Sequence, residues 1–386
     1  MAHITEAADV APRPIPPVPS VAQDTANRYY TASQFQLMWW KFRKHKLALI
    51  GSGILAVFVF IALFAEFLSP YTPGARTPNY LFGRPQTLHF RDAEGNFHLR
   101  PFTYALTAAM DPETFLLEVK EDTSEPWPVY FFVKGNPYKM WGLIQSDIHL
   151  FGVQEGHLHL LGTDQLGRDI LSRLFHATRT SLTIGVVGLF ISFFLGLIIG
   201  GISGFFGGSI DDIIQRFIEF IRSIPTLPLW MALAAALPRD WSPERVYFTI
   251  TILLGLLGWT HLARRVRGKL LSLREEDFVV AARIAGSSNA RIIARHLLPS
   301  FLSYIIVDLS ISFPYMILAE TSLSFIGLGL RAPVISWGVL LQDAQNIQAI
   351  ALYPWLFTPV AFVIISVMAF SFVGDGARDA ADPYSR

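Results

Sequence analysis

Six long apolar runs limit this chain to a narrow set of folds. They occupy residues 47–68, 182–206, 217–237, 246–262, 301–319 and 353–373. A helix that crosses the hydrocarbon core of a bilayer needs about 20 mainly apolar residues, and each run approaches that length. Charged residues make up 16% of the chain, whereas soluble proteins carry roughly 25%. We therefore predict an all-α polytopic membrane protein with six transmembrane helices.

The positions of the basic residues predict the orientation of these spans. Four of them precede the first run, namely Lys41, Arg43, Lys44 and Lys46. Eight more lie in the loop at residues 264–300. Loops rich in Lys and Arg generally stay in the cytoplasm. The turns at 238–245 and 321–352 carry few cations, as expected for the outer side. We therefore expect both chain ends and the 264–300 loop to be cytoplasmic.

This orientation divides the chain into segments. Residues 1–46 form a cytoplasmic tail, which we expect to be partly disordered because its first part is polar and rich in proline. The first span at 47–68 is followed by an extracytoplasmic insert at 69–180. Residues 181–375 contain the other five spans, and residues 376–386 return to the cytoplasm.

The insert contains short β-branched and aromatic runs between Gly and Pro residues, which predict a β-rich segment. These runs lie at residues 87–91, 96–100, 115–120 and 129–134. His157 and His159 are expected to share one strand face, with His149 nearby. No carboxylate pattern and no cysteine accompanies these histidines, so we predict no metal site.

The chain also lacks the motifs of several function classes. It has no cysteine, and its net charge of +1 gives no broad basic surface for nucleic acid. No GxxxxGK[ST] phosphate loop, GxSxG elbow or HExxH pair is present. We therefore expect a protein that is not an enzyme, binds no cofactor itself and does not hydrolyse ATP.

The cytoplasmic segment at residues 277–300 reads DFVVAARIAGSSNARIIARHLLPS. Its pattern predicts a short helix that ends at Gly286 in a left-handed cap, with Ser287 or Ser288 capping a second helix. Pro299 is expected to end that second helix. A short helix outside the bilayer can dock onto a soluble partner. The alternative is a loop held on the membrane surface by its arginines.

This segment resembles the EAA loop of the membrane subunits of ABC importers. Other motifs are HLLGTDQLGRDILSRL at 159–174, SIPTLPL at 223–229, ETSLSFIGLGL at 320–330, SWG at 336–338 and GARDAADP at 376–383. Together they resemble the dipeptide/oligopeptide (peptide/nickel) permease family, in particular the member with a long outer loop between its first two spans.

The resemblance implies a set of partners in a bacterial or archaeal inner membrane. These are a homologous second permease, two cytoplasmic ATPase subunits that carry ATP and Mg, and an extracytoplasmic substrate-binding protein. The resemblance also implies ATPase-coupling residues, namely Phe278, Ala281, Ala282, Arg283, Gly286, His296, Leu298 and Pro299. Val280 stands where the family often has Glu.

Other features allow both a functional and a structural interpretation. Pro225 and Pro228 could line a gate or simply bend the third span, and Glu320 could line the translocation path or face water at the interface. Glycines at 196, 200, 204 and 208 could form a sliding seam or ordinary helix packing. Residues 161–174, with charges at helical spacing, are expected to form an amphipathic helix.

Peptides are the expected substrate because the motifs match that branch of the family. Oligosaccharides are the second possibility, since some relatives of this permease type serve sugar importers. A secondary transporter driven by an ion gradient is less favoured, because charges within the spans are scarce and no inverted repeat is evident.

Overall fold

The computed structural model describes residues 32–110, 117–238, 240–345 and 351–381. The proline-rich tail and the last residues of the GARDAADP motif lie outside these ranges. The α-helices are α1 Gln34–Phe42, α2 Lys46–Leu63, α3 Ala65–Leu68, α4 Ile170–Phe206, α5 Gly208–Ser223, α6 Thr226–Ala235, α7 Pro243–Leu273, α8 Asp277–Ile284, α9 Asn289–Arg291, α10 Leu298–Ser300, α11 Leu302–Phe325, α12 Trp337–Gln342 and α13 Thr358–Ala381. Short 3₁₀ turns lie at Pro78–Tyr80 and Pro354–Phe357, and Ile292–Leu297 forms a π-helical turn.

Five helical segments of the described chain are long and apolar enough to cross a membrane: α2, α4, α7, α11 and the segment Pro354–Ala381 that includes α13. A sixth span exists only if α5 and α6 are taken together, and these two helices meet at 81°. The predicted span at 217–237 is thus not one straight helix, since its residues are divided between the end of α5 and α6. Pro225 keeps the preceding Ile224 in an extended conformation (φ −90°, ψ 128°), which ends α5.

The helices also extend beyond the predicted runs. Helix α4 begins at Ile170 rather than at residue 182, because its first turns are already buried against the rest of the chain. Helix α7 continues to Leu273 and so takes up the first part of the predicted 264–300 loop. Apolar runs predict where a helix lies in lipid, and they do not report how far it continues into the protein beyond the bilayer.

The predicted amphipathic helix at 161–174 is wrong for its first part. Asp169 caps α4 by accepting from the Ser172 amide at 2.7 Å, so the helix begins only after it. Asp164 instead closes a turn, since its carboxylate accepts the amides of Leu166 and Arg168 at 2.8 and 3.0 Å. Short-range backbone capping by aspartate competes here with the helix that the charge spacing favoured.

Helices α4 and α7 pack closely against each other along a row of glycines. A Cβ atom added at Gly200 would lie 2.5 Å from the Ala263 carbonyl oxygen, and one at Gly204 would lie 2.7 Å from that of Arg267. A Cβ atom at Gly196 would lie 2.8 Å from the Cβ of Leu262. The glycine stripe is thus an intramolecular packing seam, as small residues permit. Gly208 lies outside it, at the start of α5, with open space around it.

The predicted β-rich insert is confirmed as one antiparallel sheet in the order β1-β2-β3-β4. Its strands are β1 His89–Arg91, β2 Phe97–Met110, β3 Leu117–Met140 and β4 Ile144–Val153. His149 lies on β4, but His157 and His159 follow that strand in an irregular segment, so the strand face predicted for them is wrong. The two imidazole rings instead stack, with centroids 6.1 Å apart.

Candidate functional site

The segment at residues 277–300 folds as a short helix followed by a sharp turn. Gly286 has a φ of +77°, the Gly286 amide donates to the Arg283 carbonyl at 3.0 Å, and the Ser287 amide donates to the Ala282 carbonyl at 3.1 Å. These two bonds define a Schellman cap, which the sequence predicted from the glycine. The Ser288 hydroxyl then accepts from the Arg291 amide at 3.4 Å and begins the next helix.

One face of α8 is fixed in the protein core. Val279 and Ala282 are 0% and 9% exposed, and they belong to a cluster that includes Leu270 of α7, Ile292 and Phe301. This places the Ala282 side chain toward its own chain, whereas Ala281 is exposed. Neighbouring helical positions differ by about 100° around the axis, so only one of two adjacent alanines can face outward.

The opposite face of α8 is exposed and mainly apolar, apart from Asp277 in its first turn. Phe278, Val280 and Ile284 are 42%, 39% and 82% exposed. Arg283 lies beside them, with its guanidinium carbon 5.9 Å from the centroid of the Phe205 ring at the end of α4. A helix with one face packed in the core, a mainly apolar outer face and a cation at its rim has the character of a protein docking surface.

The residues after the cap form a widened helical turn. The Leu298 amide donates to the Ile293 carbonyl, five residues back, so Ile292–Leu297 is π-helical. Pro299 has no amide to continue the ladder, and the helical direction breaks at Phe301 (φ −127°) before α11. His296 is half-buried, Leu298 packs against the core cluster and Pro299 is exposed.

The α8 core cluster connects directly to the long helices. It contains Phe205 of α4, Val266 and Leu270 of α7, and Ile305 of α11. Close by, the Arg267 guanidinium binds the nearly buried Asp211 carboxylate of α5, with Nε 2.5 Å from Oδ1. A displacement of α8 would therefore act on α4, α7 and α11 through packed side chains, and on α5 through this ion pair.

Pro225 and Pro228 lie at the break between α5 and α6. Pro225 precedes the first residue of α6, and Pro228 falls in its first turn, where no amide donor is required. The predicted bend is confirmed. The apolar outer face of α5 lies beside it, with Ile213, Phe217 and Phe220 exposed by 69%, 56% and 66%.

Glu320 is fully buried, with 0% of its surface exposed. Its carboxylate accepts hydrogen bonds from the hydroxyls of Ser336, Ser324 and Ser181 at 2.6, 2.8 and 3.4 Å. The same serines accept the amides of Val339, Leu330 and Trp337. Glu320 thus fastens the loop after α11 to α4 and α11. The sequence showed the motifs ETSLSFIGLGL and SWG, but their separation concealed that they meet at one carboxylate.

A second buried charge cluster was missed by the sequence analysis. Arg173 of α4 is 1% exposed and binds Asp164, which also receives the Arg168 Nε at 2.7 Å. Asp343, after α12, completes the cluster, with its Oδ2 3.4 Å from Arg173 Nη1. Burial raises the pKa of Asp343, and the Arg173 charge partly offsets that rise. This cluster joins the base of the insert to the loop after α11.

Within the described residues, no group of three His, Asp or Glu side chains is arranged to hold a metal ion. The histidines of the insert have structural partners. His149 Nδ1 lies 2.5 Å from the Ser69 carbonyl oxygen, and His159 Nδ1 lies 3.1 Å from Asp169 Oδ1.

Two family models match this chain. Residues 192–386 match the binding-protein-dependent transport system inner membrane component. Residues 33–85 match the N-terminal TM domain of oligopeptide transport permease C.

Curated relatives extend the match over almost the whole chain. The dipeptide transport system permease protein DppC of Lactococcus lactis is 32% identical over 91% of each chain. The oligopeptide transport system permease protein OppC of Haemophilus influenzae is 40% identical over 68% of this chain and 80% of its own. OppC of Bacillus subtilis is 38% identical over 59% of this chain and 72% of its own. The chain therefore belongs to the family of binding-protein-dependent transport system inner membrane components, and it is an integral membrane permease subunit of an ABC transporter, a component without an ATPase site of its own.

Proposed function

We propose that this permease forms, with a homologous second permease, the path by which oligopeptides or dipeptides cross the inner membrane. The relatives named above transport oligopeptides or dipeptides according to their names, and the 32% identity to DppC covers nearly the whole chain. None of these relatives is named as an oligosaccharide permease, so that alternative is not favoured. An extracytoplasmic binding protein delivers the peptide, and two cytoplasmic ATPases with ATP and Mg supply the energy.

In this proposal α8 lies in the cytoplasm together with both chain ends, and the sheet lies outside. Two features support the orientation. Eight cations lie in residues 264–300, before, within and after α8 in the sequence, and loops rich in Lys and Arg remain cytoplasmic. The inner ends of α1 and α13 lie on the same side as α8, since Met38 contacts Ser303 at the start of α11 and His45 lies 3.5 Å from Asp379.

The observation that carries the proposal is the two-faced character of α8. Its outer face, with Phe278, Ala281 and Ile284, docks into a groove of the ATPase subunit, and Arg283 contributes a cation at the rim. Its inner face, with Val279 and Ala282, transmits the movement to α7 and α11 through the shared core. Gly286 fixes the end of α8, while His296, Leu298 and Pro299 shape its connection to α11.

ATP binding closes the ATPase pair, and α8 moves with it. The spans then turn from inward-open to outward-open, the binding protein releases its peptide, and hydrolysis resets the cycle. Shifting the equilibrium between the inward-open and outward-open states from 1:99 to 99:1 takes about 5.5 kcal/mol. The element that transmits this energy from the ATPase to the spans must therefore be held firmly by its contacts. Val279 and Ala282, which pack in the core, hold α8 in this way. The break at Pro225 and Pro228 serves as the flexible part of the gate, and Glu320 holds the outer loop in place beside the path.

Cross-linking from adjacent positions tests the docking face. The chain has no cysteine, so Ala281→Cys and Ala282→Cys each give one reactive site. In the assembled transporter, Ala281→Cys should cross-link to an ATPase subunit carrying cysteines in its docking groove. Ala282→Cys should not, because this side chain is buried in its own chain. Equal capture from both sites, or from neither, would contradict the proposed face.

A transport measurement tests the substrate. Proteoliposomes with the assembled transporter should take up a labelled dipeptide or oligopeptide only with ATP and the ATPase subunits present. Uptake that persists without those subunits would indicate an ion-coupled carrier. Uptake of an oligosaccharide and not of peptides would refute the peptide assignment.

A further inference from the structure

The tip of the β3–β4 hairpin, residues 140–144, exposes apolar side chains where polar turn residues are usual. Trp141, Leu143 and Ile144 are 51%, 82% and 60% exposed. The backbone of Trp141 has a φ of +51°, in the left-handed region that bulky residues rarely adopt. Local backbone preference does not favour these residues in a turn. The contacts of the turn with its surroundings must therefore explain why they are found here.

The turn lies at the end of the first span. The Trp141 indole Nε1 donates to the carbonyl oxygen of Leu63, the last residue of α2, at 2.9 Å. The Trp141 amide also donates to Glu66 Oε1 at 3.4 Å. Farther along β4, His149 contacts the Ser69 carbonyl at 2.5 Å. The hairpin therefore runs beside the chain from Ser69 back to Leu63, and its tip points along α2 toward the membrane.

The apolar surface of the tip continues the surface that α2 presents to lipid. Phe60 and Leu63 in the last turn of α2 are 50% and 42% exposed. Trp side chains concentrate at the membrane interface, where the ring is in apolar surroundings and the indole N–H finds a polar partner. The adjacent Lys139 is exposed and can extend its ammonium toward lipid phosphates.

We propose that this hairpin tip, residues 140–144, is a membrane anchor of the extramembrane sheet. Leu143 and Ile144 enter the boundary between headgroups and acyl chains in the leaflet on the sheet's side, and Trp141 marks the headgroup level. The anchor holds the sheet at a fixed height above the bilayer beside α2. Its occupant is lipid, and the proposal depends only on α2 being a transmembrane helix.

Spin labels at two matched leucines test the anchor. Leu143→Cys places a nitroxide on the turn, and Leu99→Cys places one on β2, where Leu99 is 90% exposed. Each full-length variant is assembled with cysteine-free partner subunits, without the binding protein, in nanodiscs of phosphatidylcholine and phosphatidylglycerol. Relaxation by molecular oxygen reports access from lipid, and relaxation by a water-soluble nickel chelate reports access from water.

The label at position 143 should be reached by oxygen and should be several-fold less accessible to the nickel chelate than the label at 99. Equal nickel access at both positions would overturn the proposal, because the tip would then lie in water. Low access to both oxygen and nickel at position 143 would also overturn it, since protein would then cover the tip. Ile144→Cys supplies a second label with the same expectation if the Leu143 variant does not assemble.

Discussion

At the scale of single residues, the end of α8 depends on one glycine. A Cβ atom at Gly286 would meet nothing within 4 Å, so its φ of +77°, and not lack of space, accounts for glycine at this position. Left-handed backbone costs an ordinary residue about 1–2 kcal/mol, and asparagine tolerates it best. The Schellman cap could be predicted because Gly286 and Ser288 have strong local preferences. The inward direction of Ala282 could not, because the sequence offers two adjacent alanines.

Gly286→Val should lower the amount of peptide transported per ATP hydrolysed, since α8 would lose its fixed end while the spans still insert. Gly286→Asn should retain most of the coupling. The measurement is uptake and phosphate release on the same proteoliposomes. A valine variant that couples as well as the unmodified protein would show that the cap does not matter for transmission.

At the scale of elements, local sequence predicted the existence of the helices better than their continuity. The apolar run at 217–237 contains two prolines, and the structure breaks it into α5 and α6 at an angle of 81°. Hydropathy does not distinguish a broken pair from a straight span, because both bury the same side chains in lipid. The row of glycines on α4 could be recognised from the sequence. Its partner helix α7 could not be predicted, because residue spacing on one helix does not indicate which helix packs against it.

Gly200→Ala should destabilise the bundle by about 1–3 kcal/mol, because its Cβ would meet backbone atoms of Ala263 that cannot move alone. Gly53→Ala is the matched control in α2, where a Cβ meets nothing within 4 Å. That change should be neutral or stabilising by roughly 0.5–1 kcal/mol through helix propensity. Thermal unfolding in detergent measures both effects. If the two variants melt alike, α4 and α7 are not packed through this seam.

At the scale of the whole molecule, two polar clusters join parts of the chain that are distant in sequence. Glu320 accepts hydrogen bonds from serines of α4, of α11 and at the start of α12. Arg173 connects Asp164 of the insert to Asp343. Buried polar groups are costly unless they are paired, so each cluster stabilises the fold only when all of its segments are in position.

Arg173→Met should lower the free energy of unfolding by roughly the 3–5 kcal/mol that follows loss of a buried ionic partner. The effect should lie toward the low end because Arg168 still binds Asp164. The measurement is the melting temperature, which should fall strongly. The control is Arg264→Met, whose exposed pair with Glu219 should contribute under about 1 kcal/mol. A similar, small change in both variants would mean that the cluster does not tie the insert to the spans.

The sequence by itself determined the membrane-spanning class, the strand-rich insert, the short capped helix at 277–284 and the family. These properties follow from hydropathy, local backbone preference and contiguous motifs, which act over a few residues. The tertiary structure decided which alanine of α8 faces outward, where the third span breaks, and how Glu320, Arg173 and Trp141 are used. Those outcomes depend on which surfaces meet, and a buried carboxylate or an exposed tryptophan acquires its role only from neighbours far away in the chain.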